Sequence, residues 1–192
     1  SVRGVENNGL MVVHLGPATT RNAFGFQETG VNNNGRFFVI NEGAGNAWGV
    51  VSSLTGGTVV NNGVFAVQAL HGFAIGYEFD NEQSFENRAG AQLLVEGRGA
   101  TAFYTGNGGQ FSPVTITNAG TIVAHSLDLD TPSVGLHLAA LTGNVTTVNN
   151  SGLLAADIAI FGDDDFTTVS GSPVQKVNNL ATGEIYGLIY LQ

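Results

Sequence analysis

Cysteine is absent from all 192 residues, which excludes a disulfide framework and any thiolate-held metal. Charge is scarce: Asp, Glu, Lys and Arg make up 11% of the chain, with 15 acidic residues against 6 basic ones and a formal net charge of -9. So few cations form no patch for a phosphate backbone or an anionic lipid surface, and no nucleic-acid partner is expected. No apolar run approaches the roughly 18 residues that suggest a transmembrane helix, so no membrane insertion by this segment is expected either. The Lys- and Glu-rich surfaces of soluble helices are missing too. Ser1-Val2-Arg3-Gly4 lacks the layout of an export signal, and the expectation is a mature form or a fragment.

What the chain has instead is glycine, 28 residues, within a composition that is 43% hydrophobic. Many of those glycines belong to a repeat. An apolar-x-Asn-x-Gly motif recurs at Val5-Asn7-Gly9, Val31-Asn33-Gly35, Val59-Asn61-Gly63, Ile116-Asn118-Gly120 and Val148-Asn150-Gly152. Looser copies stand at Phe85-Asn87 with Gly90 and Val177-Asn179 with Gly183. The seven glycines lie 26 to 32 residues apart and span the chain, so residues 1–192 read as one repetitive domain.

Each motif leads into a short apolar run such as Met11-Val12-Val13, Phe37-Phe38-Val39 or Leu93-Leu94-Val95. A second stretch follows in most repeats, as in Ala47-Trp48-Gly49-Val50, and a third precedes the next motif, as in Val114-Thr115-Ile116. Three short strands per repeat, separated by Gly, Asn and Ser-Pro turns, outline one coil of a parallel β-helix. The fold class expected is all-β, a solenoid of about seven three-stranded coils. At a strand spacing of about 4.8 Å, seven coils give a rod on the order of 30 Å long.

Residue alternation supports this. Positions two and four after the glycine are Met11 and Val13, Phe37 and Val39, Phe65 and Val67, Ile122 and Ala124, Leu154 and Ala156, all fit to point inward. The motif Asn shares the inward direction of the apolar residue before it. A buried primary amide is costly unless bonded, and in-register stacking bonds each amide to the next. Asn7, Asn33, Asn61, Asn87, Asn118, Asn150 and Asn179 are therefore expected to form a structural ladder. The competing reading is a set of antiparallel hairpins, because Asn8-Gly9, Asn34-Gly35 and Asn62-Gly63 suit type I′ turns. Two copies place Ala119 and Ser151 before the glycine yet keep the Asn two residues earlier, which favours the ladder.

Stretches such as Ile116-Thr117-Asn118-Ala119-Gly120-Thr121-Ile122 and Val148-Asn149-Asn150-Ser151-Gly152-Leu153-Leu154 resemble the degenerate repeats of autotransporter passenger domains and related surface β-helix proteins of Gram-negative bacteria. The resemblance implies a right-handed parallel β-helix, an extracellular or outer-membrane-displayed location, and adhesive or biofilm roles. Two departures matter. The membrane barrel of that family is not expected within these residues, since Gly183 to Gln192 reads as a coil stopped midway, and neither end reads as an obvious polar cap. The expectation is a fragment of a longer surface protein or a subunit that self-associates end to end.

The same architecture carries polysaccharide lyases and hydrolases, whose sites cluster carboxylates on one outward face. Asp157 with Asp163-Asp164-Asp165, and Asp128 with Asp130, are the acidic candidates. The triple Asp could hold Ca²⁺, but a solvated turn is the plainer reading and no EF-hand spacing is present. Asp128-Leu129-Asp130 offers two carboxylates on one side of an extended segment, or simply a loop before Thr131-Pro132-Ser133. His14 and His125 belong to coils four apart, too distant to share a metal. Ser126 beside His125 is no nucleophile pair, because strand neighbours face opposite ways. The recurrence of Phe24, Trp48, Phe73, Phe103 and Tyr104 at equivalent strands favours an interior stack over an outward sugar platform. No catalytic, cofactor or metal residue is assigned. An extracellular structural or adhesive module is the reading, with a glycan or host surface as candidate ligand; a filament subunit and a carbohydrate-active enzyme are the alternatives.

Overall fold

The computed structural model describes residues 4–27, 30–52, 57–79, 84–105, 114–139, 145–163 and 174–191. All regular elements among them are strands. In chain order they are β1 (Gly4–Asn7), β2 (Leu10–Leu15), β3 (Ala23–Gln27), β4 (Gly30–Asn33), β5 (Arg36–Asn41) and β6 (Ala47–Ser52). Next come β7 (Thr58–Asn61), β8 (Val64–Phe79), β9 (Ser84–Asn87), β10 (Gln92–Thr105), β11 (Thr115–Asn118) and β12 (Thr121–Ser126). The last are β13 (Val134–Ala139), β14 (Val145–Asn150), β15 (Leu153–Asp163), β16 (Val174–Asn179) and β17 (Glu184–Tyr190).

The motif strands form one seven-stranded sheet in the order β1-β4-β7-β9-β11-β14-β16. The remaining strands form a second sheet in the order β2-β5-β8-β10-β13-β15-β12, with β12 also paired to β10 and with β3, β6 and β17 joined beside that path. Every strand pairing among the described residues is parallel. This excludes the hairpin reading: the Asn-Gly pairs bend the chain between two sheets instead of returning it beside itself. The molecule is a parallel β-solenoid. Where separate first and second strands were expected in each repeat, β8, β10 and β15 each run through both positions as one bent strand of 16, 14 and 11 residues.

The core lies between the sheets. Phe37, Val39, Phe65, Val67, Leu93, Ile122 and Leu154 are buried from one side, and Val31, Val59, Phe85, Ile116 and Val148 from the other, as the alternation predicted. Rings stack along it: Phe37 and Phe65 lie parallel with centroids 4.7 Å apart, and Tyr77, Phe79, Phe85 and Phe103 continue the column edge-on or tilted. No one repeat can enclose such a core, so stacking and folding are the same event.

The repeat is not perfectly regular. Gln92 pairs with Val64, and the Gln92 amide donates to the Gly63 carbonyl, so Ala91 takes the place that glycine holds in other repeats. Gly90 sits one residue early with φ +81°, where it absorbs the extra residue of that bend.

Candidate functional site

The seven motif asparagines form one unbroken column. Each amide Nδ2 donates to Oδ1 of the next: Asn7 to Asn33 at 2.7 Å, Asn33 to Asn61 and Asn61 to Asn87 at 2.9 Å, then Asn87 to Asn118, Asn118 to Asn150 and Asn150 to Asn179 at 2.8 Å. The second amide proton goes to a backbone carbonyl of the following repeat, as from Asn61 to Gln92 at 2.9 Å. The first six are buried and Asn179 is exposed. Asn87 and Asn179, the copies with irregular spacing, hold the same register as the others. Identical sheet pairing of the strands before them fixes the column, and the glycine-containing bends absorb the difference.

A further set of amides was not evident in the repeat. Buried Asn41 donates to the carbonyls of Arg21 and Asn46, while its Oδ1 accepts from Gly43 N–H, pinning the bend between β5 and β6. Asn22 Oδ1 accepts from Asn46 N–H, and Asn46 Oδ1 from Phe73 N–H. On the surface, Asn34 donates to Asn8 at 2.9 Å and Asn178 to Asn149 at 2.8 Å. Paired Asn residues at equivalent offsets were the available signal.

Two of the acidic candidates, Asp128 and Asp157, are tied to neighbouring repeats. Asp128 lies in the turn after β12, where Oδ2 accepts from Arg98 at 2.9 Å and Oδ1 from Asp130 N–H at 3.1 Å. The Arg98 hydrogen bond first, and the backbone bond second, hold its carboxyl below the usual range. Asp157 Oδ2 accepts from Ser133 N–H at 2.8 Å and from Ser133 Oγ at 2.7 Å, and these bonds lower its pKa in the same way. Asp157 N–H donates back to Ser133 Oγ at 3.0 Å, so the two residues staple adjacent repeats. A general acid at neutral pH needs a raised pKa, and both carboxyls are shifted the other way. Asp163 closes β15, while Asp164 and Asp165 lie outside the described residues.

His14 pairs with Glu42 at 3.2 Å and His125 with Glu96 at 3.3 Å, on opposite stretches of one outer face. Glu96 also accepts from Gln68 Nε2 at 2.7 Å. Gln68, Glu96 and His125 rim a groove of about 370 Å³ over Phe38, Ala66, Leu94 and Val123.

The aromatic expectation needs correction. Phe103 is interior, but Phe24, Trp48 and Tyr104 are only half-buried. Phe24 and Trp48 stack in parallel with centroids 4.9 Å apart, and His137 continues from Tyr104 at 4.8 Å toward Phe161. Phe73 is 56% exposed. The physical reason lies beside them. Gly25, Gly49 and Gly76 take the inward position next to Phe24, Trp48 and Ile75, and a Cβ at Gly49 would run into Phe65 and the Gly76 carbonyl. Recurrence at equivalent strands therefore marked columns, without saying on which face.

Phe73 borders a cleft of about 360 Å³ at the bend between the two halves of β8 and β10, lined by Asn46, His71, Gly72, Arg98, Asp128 and Thr131 as well. A Cβ at Gly99 would come within 2.7 Å of two Phe73 ring carbons, so the ring rests on bare backbone. Arg98, His71, Asn46 and Thr131 had no sequence motif to mark them; parallel stacking alone brings them together.

No protein-family model matches this chain, and no curated protein or solved structure does either. Fold and side-chain geometry thus define the class, a parallel β-solenoid with an asparagine ladder.

Proposed function

We propose that this chain is a rigid, non-catalytic β-solenoid module that works outside the cell as a structural or adhesive element on a bacterial surface. The observation that carries this reading is the continuous asparagine column, which ties every repeat to its neighbours through side chains as well as backbone and leaves the outer faces available for contact. We read the chain as seven three-stranded coils. They are right-handed, as parallel crossovers almost always are, and akin to passenger-type surface β-helices. The pairing of Asp128 with Arg98 and of Asp157 with Ser133 supports a role without turnover.

The test is twofold. Immobilised protein is probed for retention on host cells and glycans, and the same protein is assayed for reducing ends or unsaturated uronates across a polysaccharide panel. Retention without turnover is expected. Turnover that disappears on Asp128→Asn or Asp157→Asn would replace this reading with a carbohydrate-active enzyme.

One observation favours a second reading, a subunit that stacks end to end. Ile189 pairs with Ile160 in a core column, yet it is 49% exposed, and Leu188 and Tyr190 beside it are 70% and 50% exposed. Another coil, from the same polypeptide or a second copy, would bury them. Concentration-dependent mass by light scattering separates the two: growth abolished by Ile189→Arg supports stacking, and a constant monomer mass sinks it.

A further inference from the structure

We infer that the cleft around Phe73 is a binding subsite for a neutral sugar residue within a glycan. This rests on the adhesive reading and gives it a location and a ligand class.

Phe73 is held with its ring uncovered. Its N–H donates to Asn46 Oδ1 at 2.9 Å, and the lack of a side chain at Gly99 seats one side of the ring on the adjacent strand, while the residue remains 56% exposed. Exposing a large apolar ring has no value for folding, whereas the apolar face of a pyranose lies flat on such a ring. Around it stand the polar partners that sugar hydroxyls require. Arg98 presents five N–H donors, one of which goes to Asp128 at 2.9 Å. His71 is exposed on the same rim, and Asn46 and Thr131 add amide and hydroxyl groups. A volume of about 360 Å³ is within the range of ligand clefts, about 300–1,000 Å³.

Electrostatics choose the sugar. Arg98 is neutralised by Asp128, Asp130 is adjacent, and the chain carries a formal net charge of -9. An acidic sugar would meet repulsion without an uncommitted guanidinium to offset it. A neutral residue loses nothing by this and gains a paired donor and acceptor at the rim.

Neutral oligosaccharides of glucose, galactose, mannose and N-acetylglucosamine, with an oligouronate for contrast, are titrated into ¹⁵N-labelled protein. At least one neutral oligomer is expected to shift the amides of Gly72, Phe73, Arg98 and Asp128. Phe73→Ala should weaken that binding by about tenfold or more, while Phe73→Tyr keeps the platform and stays within about threefold. Gly99→Ala, which displaces the ring without deleting it, should fall between them. Unchanged far-UV circular dichroism confirms that each variant folds. Shifts confined to another face, with Phe73→Ala unaffected, overturn this subsite and leave the adhesive reading standing. Binding of the oligouronate alone overturns the neutral class. No shift with any sugar overturns the subsite, and host-cell retention of the unmodified protein then decides the adhesive reading separately.

Discussion

At the residue scale, the buried polar groups divide sharply into satisfied and unsatisfied. The ladder asparagines are bonded on both sides, whereas the Tyr77 hydroxyl is fully buried and has no hydrogen-bond partner among the described residues. Burial alone pushes its pKa far up, so it stays protonated at any ordinary pH. An unpaired buried hydroxyl costs about 1–3 kcal/mol. Tyr77→Phe is therefore expected to leave stability unchanged or raise it by about 1 kcal/mol in urea titration; a loss above that size would show a partner for the hydroxyl. Asp157 behaves oppositely. Its carboxylate is favoured in the folded state by the Ser133 bonds, so its pKa is depressed. A depressed acid stabilises the fold above its unfolded pKa of about 3.9, and that contribution disappears as pH falls through the lower folded value. The urea midpoint of the unmodified chain should exceed that of Asp157→Asn near pH 6, with the gap closing below about pH 4. A gap independent of pH would assign the staple to the neutral hydrogen bonds alone.

At the scale of strands, the device that shapes the second sheet is a column of small residues. The pairing register passes over Gly25, Gly49, Gly76, Ala102, Gly135 and Ala159 in successive strands, and Ala102 and Ala159 are fully buried. Each is an extra inward position, and at Gly25, Gly49, Gly76 and Gly135 the next strand's carbonyl and core side chains leave almost no room for a Cβ. Gly49→Ala forces a methyl against Phe65 and the Gly76 carbonyl and should cost about 2 kcal/mol or more. Gly9→Ala, with nothing within 4 Å of the added carbon, should change stability by under about 1 kcal/mol. Equal losses at the two positions would refute the packing account. This column also marks where sequence reading stopped. The motif strands were legible down to their register because the Asn has one geometry in which its burial is tolerable. The Trp48-Gly49-Val50 strands were not, because an irregular step puts Gly49 and Val50 on the inside together, and period-two alternation assigns such residues to opposite faces.

At the scale of the whole molecule, parallel stacking turns residues about 30 positions apart into neighbours, which is why a site is hard to see in one dimension. Arg98 and Asp128 meet at 2.9 Å across repeats, as do Ser133 and Asp157 at 2.7 Å, with no local spacing that announces them. Asp128 and Asp157, acidic candidates in the sequence, are each taken up by a separate partner in the fold. In such a solenoid stability is close to a sum over repeats and their interfaces, and the buried asparagine supplies a large part of each interface. Two adjacent residues isolate that claim. Asn33 is fully buried and bonds to Asn7, Asn61 and the Val64 carbonyl, while its neighbour Asn34 is exposed and makes a comparable amide bond to Asn8 at 2.9 Å. The most direct measurement is the unfolding free energy of Asn33→Ala beside that of Asn34→Ala. The ladder predicts a loss of about 3 kcal/mol or more at Asn33, where both flanking amides are left short of a partner, and under about 1 kcal/mol at Asn34, where water replaces the bond. Similar losses at both positions would mean that the column follows the stacking of the strands and does not sustain it.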